Sequence, residues 1–333
     1  MQIDKKFKAL VVRKDGSKFN RTIEQKKISE LPKGEVLICV HFSSINYKDI
    51  LSSSGDFTVT RHFPHTPGID AAGVIEFSSD RRFKTGDNVI VISFDLGANT
   101  PGGFGQYIRV PAEWVMHVPY DLSLRESMIY GTAGFTAGLA VNILQEQNIT
   151  PKKGPIVITG ASGGVGSVAV AILSKLGYSV YAITGNKSAN PFLCKLGAYE
   201  VKDREFLNDE SGRKLLKEMW AGAIDTVGGN YLENILKSTK LRGAVVSVGL
   251  VSSSNLSTTV FPFILRGISL HGSGASETLM SKRKKIWSLL AKEWKSDFHE
   301  NIATETNLNE LDNKIDKIIE GKEIGRVIVD MWN

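Results

Sequence analysis

The chain has 333 residues, 42% of them apolar and 23% charged, with a net charge of +6 and a pI near 9.1. That length exceeds what one hydrophobic core usually supports, so two domains are expected, and the ordinary composition excludes a disordered chain. Lys and Arg are scattered among 35 acidic residues, which argues against a nucleic-acid surface, and two cysteines, Cys39 and Cys194, exclude a disulfide framework.

Both cysteines stand in apolar contexts and are expected to be free, buried thiols. The opening Met1-Gln-Ile-Asp-Lys-Lys-Phe-Lys8 carries charges where a signal peptide has its apolar core, and no apolar run reads as long enough to span a bilayer. A cytoplasmic protein with no membrane partner is therefore expected. Up to about residue 120 the sequence predicts short strands between Gly, Pro and Asp turns, at Phe7–Arg13, Glu35–Ser43, Gly73–Phe77, Asn88–Ser93 and Gln106–Pro111. From about Ser123 helical and strand patterns alternate, the signature of a parallel sheet.

The most informative stretch is Ile156-Val-Ile-Thr-Gly-Ala-Ser-Gly-Gly-Val-Gly166, followed by an apolar run to Leu176. It reads as strand, glycine turn and helix, with a second strand at Ser179–Ile183. Gly163, Gly164 and Gly166 let the backbone approach a pyrophosphate, and the N–H groups opening the helix at about Val165 supply donors. Alanine at 161 replaces the usual first glycine, so the surrounding βαβ pattern carries the assignment of a dinucleotide site.

An NAD site places a carboxylate about 20 residues beyond the glycines, but no acid occurs between Gly160 and Glu200. The second strand ends instead in Thr184-Gly-Asn-Lys-Ser188, where Lys187 suits a 2′-phosphate. NADPH is the expected cofactor. Further strands are predicted at Gly222–Val227 and Gly243–Gly249 with a helix at Asn230–Ser238 between them, which places Gly228, Gly229, Gly249 and Leu250 at the cofactor rim. The run Lys282-Arg-Lys-Lys285 opens a predicted amphipathic helix and reads as a solvated face. A helix is predicted over Leu308–Ile319 and a strand over Arg326–Met331, which could return to the first domain.

In register along the chain, Ile45-Asn-Tyr-Lys-Asp49, Pro67-Gly-Ile-Asp-Ala-Ala-Gly-Val74, Gly131-Thr-Ala-Gly-Phe-Thr-Ala-Gly138, the glycine turn, Asp225-Thr-Val-Gly-Gly229, Pro262-Phe-Ile-Leu-Arg-Gly267 and Gly325-Arg-Val-Ile-Val329 stand in order. This series resembles the medium-chain dehydrogenase/reductase superfamily, and within it the YhdH/YhfP-type quinone oxidoreductase and acryloyl-CoA reductase branch. The resemblance implies an α/β protein with a GroES-like β-rich catalytic domain (1–122), a Rossmann doubly wound parallel-sheet domain binding NADPH (123–295) and a C-terminal segment returning to the catalytic domain (296–333).

Zinc members of the superfamily carry Cys at the position of Asn46 and Gly-His-Glu where this chain has Gly68-Ile69-Asp70, so no metal is expected; His62 and His65 lack a third partner. Without a Lewis acid, the hydride acceptor should be a conjugated bond, whose reduction needs donors for an enolate and a proton for its α-carbon. The resemblance places Tyr47 beside the nicotinamide, either as proton donor or as a positioning group. Asn46 and Asp49, on the same turn, either contact a ligand or hold the turn.

Cofactor positions implied residue by residue are Ser162, Gly163, Gly164 and Val165 for the pyrophosphate, Thr184, Gly185 and Asn186 for the adenosine ribose, Lys187 and Arg204 for the 2′-phosphate, and Gly249, Leu250 and Ile264 near the nicotinamide half. Thr132 and Thr136 either line the cleft or serve close helix packing. Two departures stand out: Asn186-Lys187 replaces an arginine of many relatives, and His271-Gly-Ser-Gly-Ala-Ser276 replaces an aspartate-containing turn near the substrate. The expected activity is NADPH-dependent reduction of an enoyl thioester or enone; a quinone reductase and a non-catalytic NADPH-binding protein are the alternatives. The substrate is a small molecule, and a homodimer through the sheet edge at Ile268–Gly272 is expected by the same resemblance.

Overall fold

The computed structural model describes residues 4–296 and 299–333. These form two compact units, one running to Thr132 and completed by Ala303–Asn333, the other spanning Ala133–Ile302.

In the first unit a hairpin of β1 (Lys6–Asp15) and β2 (Lys18–Lys27) precedes β3 (Val36–Ser44), the short helix α1 (Tyr47–Ser53), β4 (Asp70–Ser78), β5 (Asn88–Ile92), β6 (Tyr107–Val110) and β7 (Met116–His117). Strand β2 has no counterpart among the predicted strands. Lys18–Lys27 has only Phe19 and Ile23 as apolar residues and buries none of its residues fully, so it lacks the apolar alternation by which a strand is recognised.

Helix α2 (Leu124–Glu146) runs from the first unit into the second and breaks at Gly131, whose φ of 50° and ψ of −152° suit glycine. The expectation that no apolar segment reaches membrane-spanning length is corrected here. By length and hydropathy α2 does, and it is the one such helix among the described residues. The residues responsible are core residues: 89% of that window is buried within the protein.

The second unit is a six-stranded, wholly parallel sheet in the order β10-β9-β8-β11-β12-β13. Its elements are β8 (Ile156–Thr159), α3 (Gly164–Lys175), β9 (Val180–Ile183), α4 (Asn190–Lys195), β10 (Glu200–Lys202), β11 (Trp220–Asp225), α5 (Gly229–Ser238), β12 (Thr239–Ser247), α6 (Phe261–Arg266), β13 (Ser269–Gly272) and α7 (Met280–Ala291). The two strands flanking the reversal of order, β8 and β11, are buried along their whole length, as their apolar composition requires up to Thr159 and Asp225, which end them and hydrogen-bond to each other.

The chain then returns to the first unit through β14 (Ala303–Asn307), α8 (Leu311–Ile319) and β15 (Arg326–Asp330). The seven-stranded sheet there has the order β14-β15-β3-β4-β5-β7, with β6 paired to β3. Strand β14, Ala-Thr-Glu-Thr-Asn, is a polar edge strand and escapes the sequence reading for the same reason as β2. Leu308, Leu311, Ile315, Val327 and Val329 enter one core with Val36, Ile38, Val89 and Ile108, so the C-terminal segment supplies core to the unit begun by the N-terminal residues.

Two further expectations fail. Cys194 is exposed, because it lies on the outer side of the short helix α4, and Cys39 is only half-buried. Arg283, within the run read as a solvated face, is buried; its guanidinium donates to the carbonyls of Thr278, Ala275 and Ser276 and lies 5.2 Å from the Phe135 ring centroid.

Candidate functional site

In the first unit, Ile45-Asn-Tyr-Lys-Asp49 connects β3 to α1, and Asn46 is the residue immediately before the helix. The Asp49 carboxylate accepts from the Asn46 backbone N–H at 2.8 Å, and its other oxygen accepts from the N–H groups of Gly68 and Ile69 at 3.1 and 2.8 Å. One carboxylate thus fixes the turn that starts α1 to the segment that starts β4. Burial, reinforced by the nearby Asp70, pushes the Asp49 carboxyl up to about 7.

Beside it lies a polar centre that the sequence reading did not assemble. Asp70 is fully buried. Its Oδ2 accepts from Ser44 Oγ at 2.6 Å, Asn46 Nδ2 at 2.8 Å and the Thr132 N–H at 2.9 Å, and its Oδ1 accepts from Thr132 Oγ1 at 2.5 Å. Arg326, on the returning strand β15, donates to the carbonyls of Ile129 and Ile45, to Asn46 Oδ1 at 3.1 Å and to Ser44 Oγ at 2.6 Å, and stands 3.7 Å from Asp70. Burial draws the Arg326 pKa below its ordinary value, against the attraction of Asp70 and Asp49. The sequence signal for this centre was a charge heading each of two strands whose next residues are apolar or glycine, since buried charges are rare unless paired.

Tyr47 is the first residue of α1 and is 54% exposed, in contrast to the buried network behind it. Thr132 belongs to that network and also shares a hydrogen bond with Ser93 Oγ at 2.9 Å. The backbone at Gly131 approaches so closely that a Cβ there would lie 2.3 Å from Asp70 Oδ2.

The position that zinc members use is filled by groups unsuited to a cation. Asn46 turns its Nδ2 to Asp70 and its Oδ1 to a guanidinium, which leaves no oxygen free and a fixed positive charge alongside. Among the described residues no group of three or more His, Cys, Asp or Glu is placed to hold a metal ion. His65 is buried with Nε2 2.9 Å from the Gly97 carbonyl oxygen, whereas His62 is exposed.

In the second unit, β8 runs into the glycine turn as its sequence requires. A Cβ at Gly166 would lie 2.3 Å from the Gly160 carbonyl oxygen, so only glycine permits this approach of α3 to the strand. Gly163 is less crowded but still close: a Cβ there would meet the Gly160 oxygen at 3.3 Å, tighter than ordinary contact. Ser162 Oγ and Thr184 Oγ1 lie 2.8 Å apart, tying the turn to the end of β9, and the Asn186 N–H donates to Thr184 Oγ1. Asn186 in turn caps the short 3₁₀ turn Lys187–Ala189 by accepting from the Ser188 N–H. Lys187 is exposed, and the exposed Arg204 lays its guanidinium over Gly185, where a Cβ would be 2.5 Å from Nε. Ser162, Thr184, Gly185, Asn186, Lys187 and Arg204 thus gather at the carboxyl ends of β8, β9 and β10.

A second buried carboxylate organises the next strand end. Asp225 accepts from Thr159 Oγ1 at 2.6 Å and from the Gly228 N–H at 2.8 Å, holding the turn after β11 to the end of β8; burial pushes its carboxyl upward. Gly249 packs on this turn, with room for no Cβ beside the Thr226 carbonyl, while Leu250 and Ile264 are exposed. Thr136 is buried within α2.

A parallel-sheet dinucleotide fold joined to a β-rich unit with a capped Asn-Tyr turn agrees with the family comparisons. Residues 32–120 match the alcohol dehydrogenase GroES-like domain and residues 164–292 the family described as zinc-binding dehydrogenase. The chain belongs to the medium-chain dehydrogenase/reductase family of oxidoreductases, in its YhdH/YhfP branch. It is 40% identical to the acrylyl-CoA reductase AcuI of Ruegeria pomeroyi over 327 residues, covering 98% of this chain and 99% of that one. The yhdH oxidoreductase of Salmonella enterica, solved in complex with NADP, is 41% identical with a TM-score of 0.95, covering 97% and 99% of the two chains. The yhfP protein of Bacillus subtilis, solved with NAD bound, is 40% identical with a TM-score of 0.96, covering 98% and 100%.

Proposed function

We propose that this protein is an NADPH-dependent reductase of activated carbon–carbon double bonds, with an enoyl thioester such as acryloyl-CoA as substrate. The observation that carries the reading is the absence of a carboxylate after β9 together with Lys187 and Arg204 at that strand end; the Arg326 guanidinium on Asn46 Oδ1 supports a reaction that needs no Lewis acid. The likeness to AcuI supports the thioester class, and the likeness to the NADP-bound yhdH structure supports the cofactor.

When bound, the dihydronicotinamide supplies the hydride. Ser162, Gly163, Gly164 and Val165 would hold the pyrophosphate with the opening N–H groups of α3, Thr184, Gly185 and Asn186 the ribose, and Lys187 and Arg204 the 2′-phosphate. Gly249, Leu250 and Ile264 would border the nicotinamide half, with Thr136 alongside. Asn46 and Asp49 fix the turn that presents Tyr47, and in this reading Tyr47 positions the nicotinamide ring while the α-carbon proton comes from water. The open edge of the sheet at β13 is assigned to a homodimer, and the working location to the cytoplasm.

The test of substrate class is NADPH oxidation with acryloyl-CoA, crotonyl-CoA, a simple enone and a quinone. The highest kcat/KM is expected for a thioester. A quinone reduced faster than every thioester would replace this reading with quinone oxidoreductase activity, and NADPH binding without turnover on any of them would make the chain a non-catalytic binder.

Tyr47→Phe is expected to keep near-normal turnover and Tyr47→Ala to raise the NADPH dissociation constant. A fall in kcat of roughly 10²- to 10⁴-fold in Tyr47→Phe with NADPH affinity intact would instead make the phenol the proton donor.

A further inference from the structure

Away from the turn that presents Tyr47, the first unit carries a surface cluster of three phenyl rings that the reading above does not use. Phe19, near the tip of the β1–β2 hairpin, packs against Phe63 with ring centroids 4.9 Å apart and against Phe57 at 6.0 Å, and Phe57 meets Phe63 edge-on at 5.9 Å. Such a cluster is ordinarily core, yet Phe57 is 52% exposed and Phe19 and Phe63 are only half-buried.

The charge around the rings is biased. Lys14 Nζ stands 5.2 Å from the Phe57 centroid, Lys18 precedes Phe19 on β2, and Arg61 is two residues from Phe63; all three are exposed. Two acids stand nearby, Asp15 opposite Lys18 in the hairpin and Asp56, whose carboxyl is held below its ordinary range by the Thr58 N–H and hydroxyl at 2.8 and 2.6 Å, so these cations outnumber the acids three to two. An exposed aromatic cluster with one cation at a ring and two more close by in the chain suits a ligand with a flat base and phosphates, because bases stack on aromatic side chains and phosphate oxygens accept charge-assisted hydrogen bonds.

The position relative to Tyr47 is fixed by local structure. Helix α1 starts at Tyr47, ends at Ser53, and is followed by a turn in which the Asp56 N–H donates to the Leu51 carbonyl, bringing the chain to Phe57. Seven helical residues span about 10 Å, a distance that the pantetheine arm of coenzyme A bridges when extended.

We propose that the Phe19–Phe57–Phe63 cluster with Lys14, Lys18 and Arg61 binds the 3′-phosphoadenosine end of a coenzyme A thioester. The inference rests on the thioester reading above and adds to it the place where the nucleotide end is held. The rings take the adenine and the cations take the phosphates. A thioester lacking the nucleotide forgoes both.

The experiment compares acryloyl-CoA, its dephospho-CoA counterpart and acryloyl-pantetheine at saturating NADPH, in the unaltered protein, in Phe57→Ala and in Lys14→Ala/Arg61→Ala. The unaltered protein should favour the CoA thioester over the pantetheine thioester by roughly tenfold or more in kcat/KM. Phe57→Ala should erase most of that preference while leaving the pantetheine substrate unaffected. The double variant should lose the distinction between CoA and dephospho-CoA.

Equal use of all three thioesters by the unaltered protein, or equal losses on all three in the variants, would overturn the site. If no thioester is reduced, the thioester reading itself fails, and calorimetry of free coenzyme A with the NADP⁺-saturated protein decides the site separately. Binding weakened about tenfold by Phe57→Ala sustains it, and no binding overturns it. A change of oligomeric state in Phe57→Ala by light scattering, with substrate preference unchanged, would assign the cluster to contact between copies and also overturn the proposal.

Discussion

Arg326→Met is expected to lower the free energy of unfolding by about 3–5 kcal/mol, the usual result of removing one partner from a buried ion pair. The guanidinium closes the centre formed by Asp70, Asn46 and Ser44 and also satisfies the carbonyls of Ile129 and Ile45. Methionine fills similar space but leaves the buried Asp70 carboxylate without its counter-ion and the carbonyls of Ile129 and Ile45 without their donor. Asp70→Asn removes the charge while keeping the shape, so Arg326→Met/Asp70→Asn should recover part of the loss, and the difference is the coupling energy of the pair. Urea unfolding of the four proteins measures all of this. A loss below about 1 kcal/mol in Arg326→Met would mean that the centre is not held as a unit.

Lys187→Ala combined with Arg204→Ala should weaken NADPH by roughly 10²-fold and leave NADH nearly untouched. Each charge-assisted hydrogen bond to a phosphate contributes about 1.5–3 kcal/mol, and both groups are exposed, which favours the lower end of that range. Two such contributions amount to about 3 kcal/mol, or two orders of magnitude in Kd. Arg204 should account for the larger part, since its guanidinium is already laid over Gly185 at the strand end, whereas Lys187 is a flexible point charge. Calorimetric titration of both nucleotides is the measurement. Equal weakening of NADPH and NADH would show that the two residues act on something common to the nucleotides rather than on the 2′-phosphate.

The glycine turn was legible because its requirement is a local one. Gly166 must let α3 approach β8, and that demand appears in the sequence as glycine at a fixed offset from an apolar run. The parallel strands were legible for a related reason, since burial on both faces leaves unbroken apolar runs. Strands β2 and β14 were not, because each is stabilised by pairing with a neighbour while its side chains are mostly polar and none is fully buried. The roles of Asn46 and Asp49 were left open between ligand contact and turn support; the structure places both in hydrogen bonds that hold the turn. Asp70 and Arg326 were visible only as charges at the start of two strands, because the pairing that permits their burial joins segments far apart in the chain. Arg283 was misread by the same logic: a run of basic residues does not reveal which one turns inward to meet carbonyl groups.

The return of the chain to its first unit sets an order on biosynthesis. Strand β15 lies between β14 and β3 and brings Arg326 to the Asn46 turn, yet it is translated after all of Ala133–Ile302. The nucleotide-binding unit is therefore complete in sequence while the first unit still lacks its edge strand β14, its core strand β15 and the cation that closes its polar centre. A domain emerging whole from the ribosome can fold as a unit. The earlier residues must wait, with Phe42–Ser44 of β3 still without their β15 partners and Asp70 without its counter-ion, until the final strand arrives.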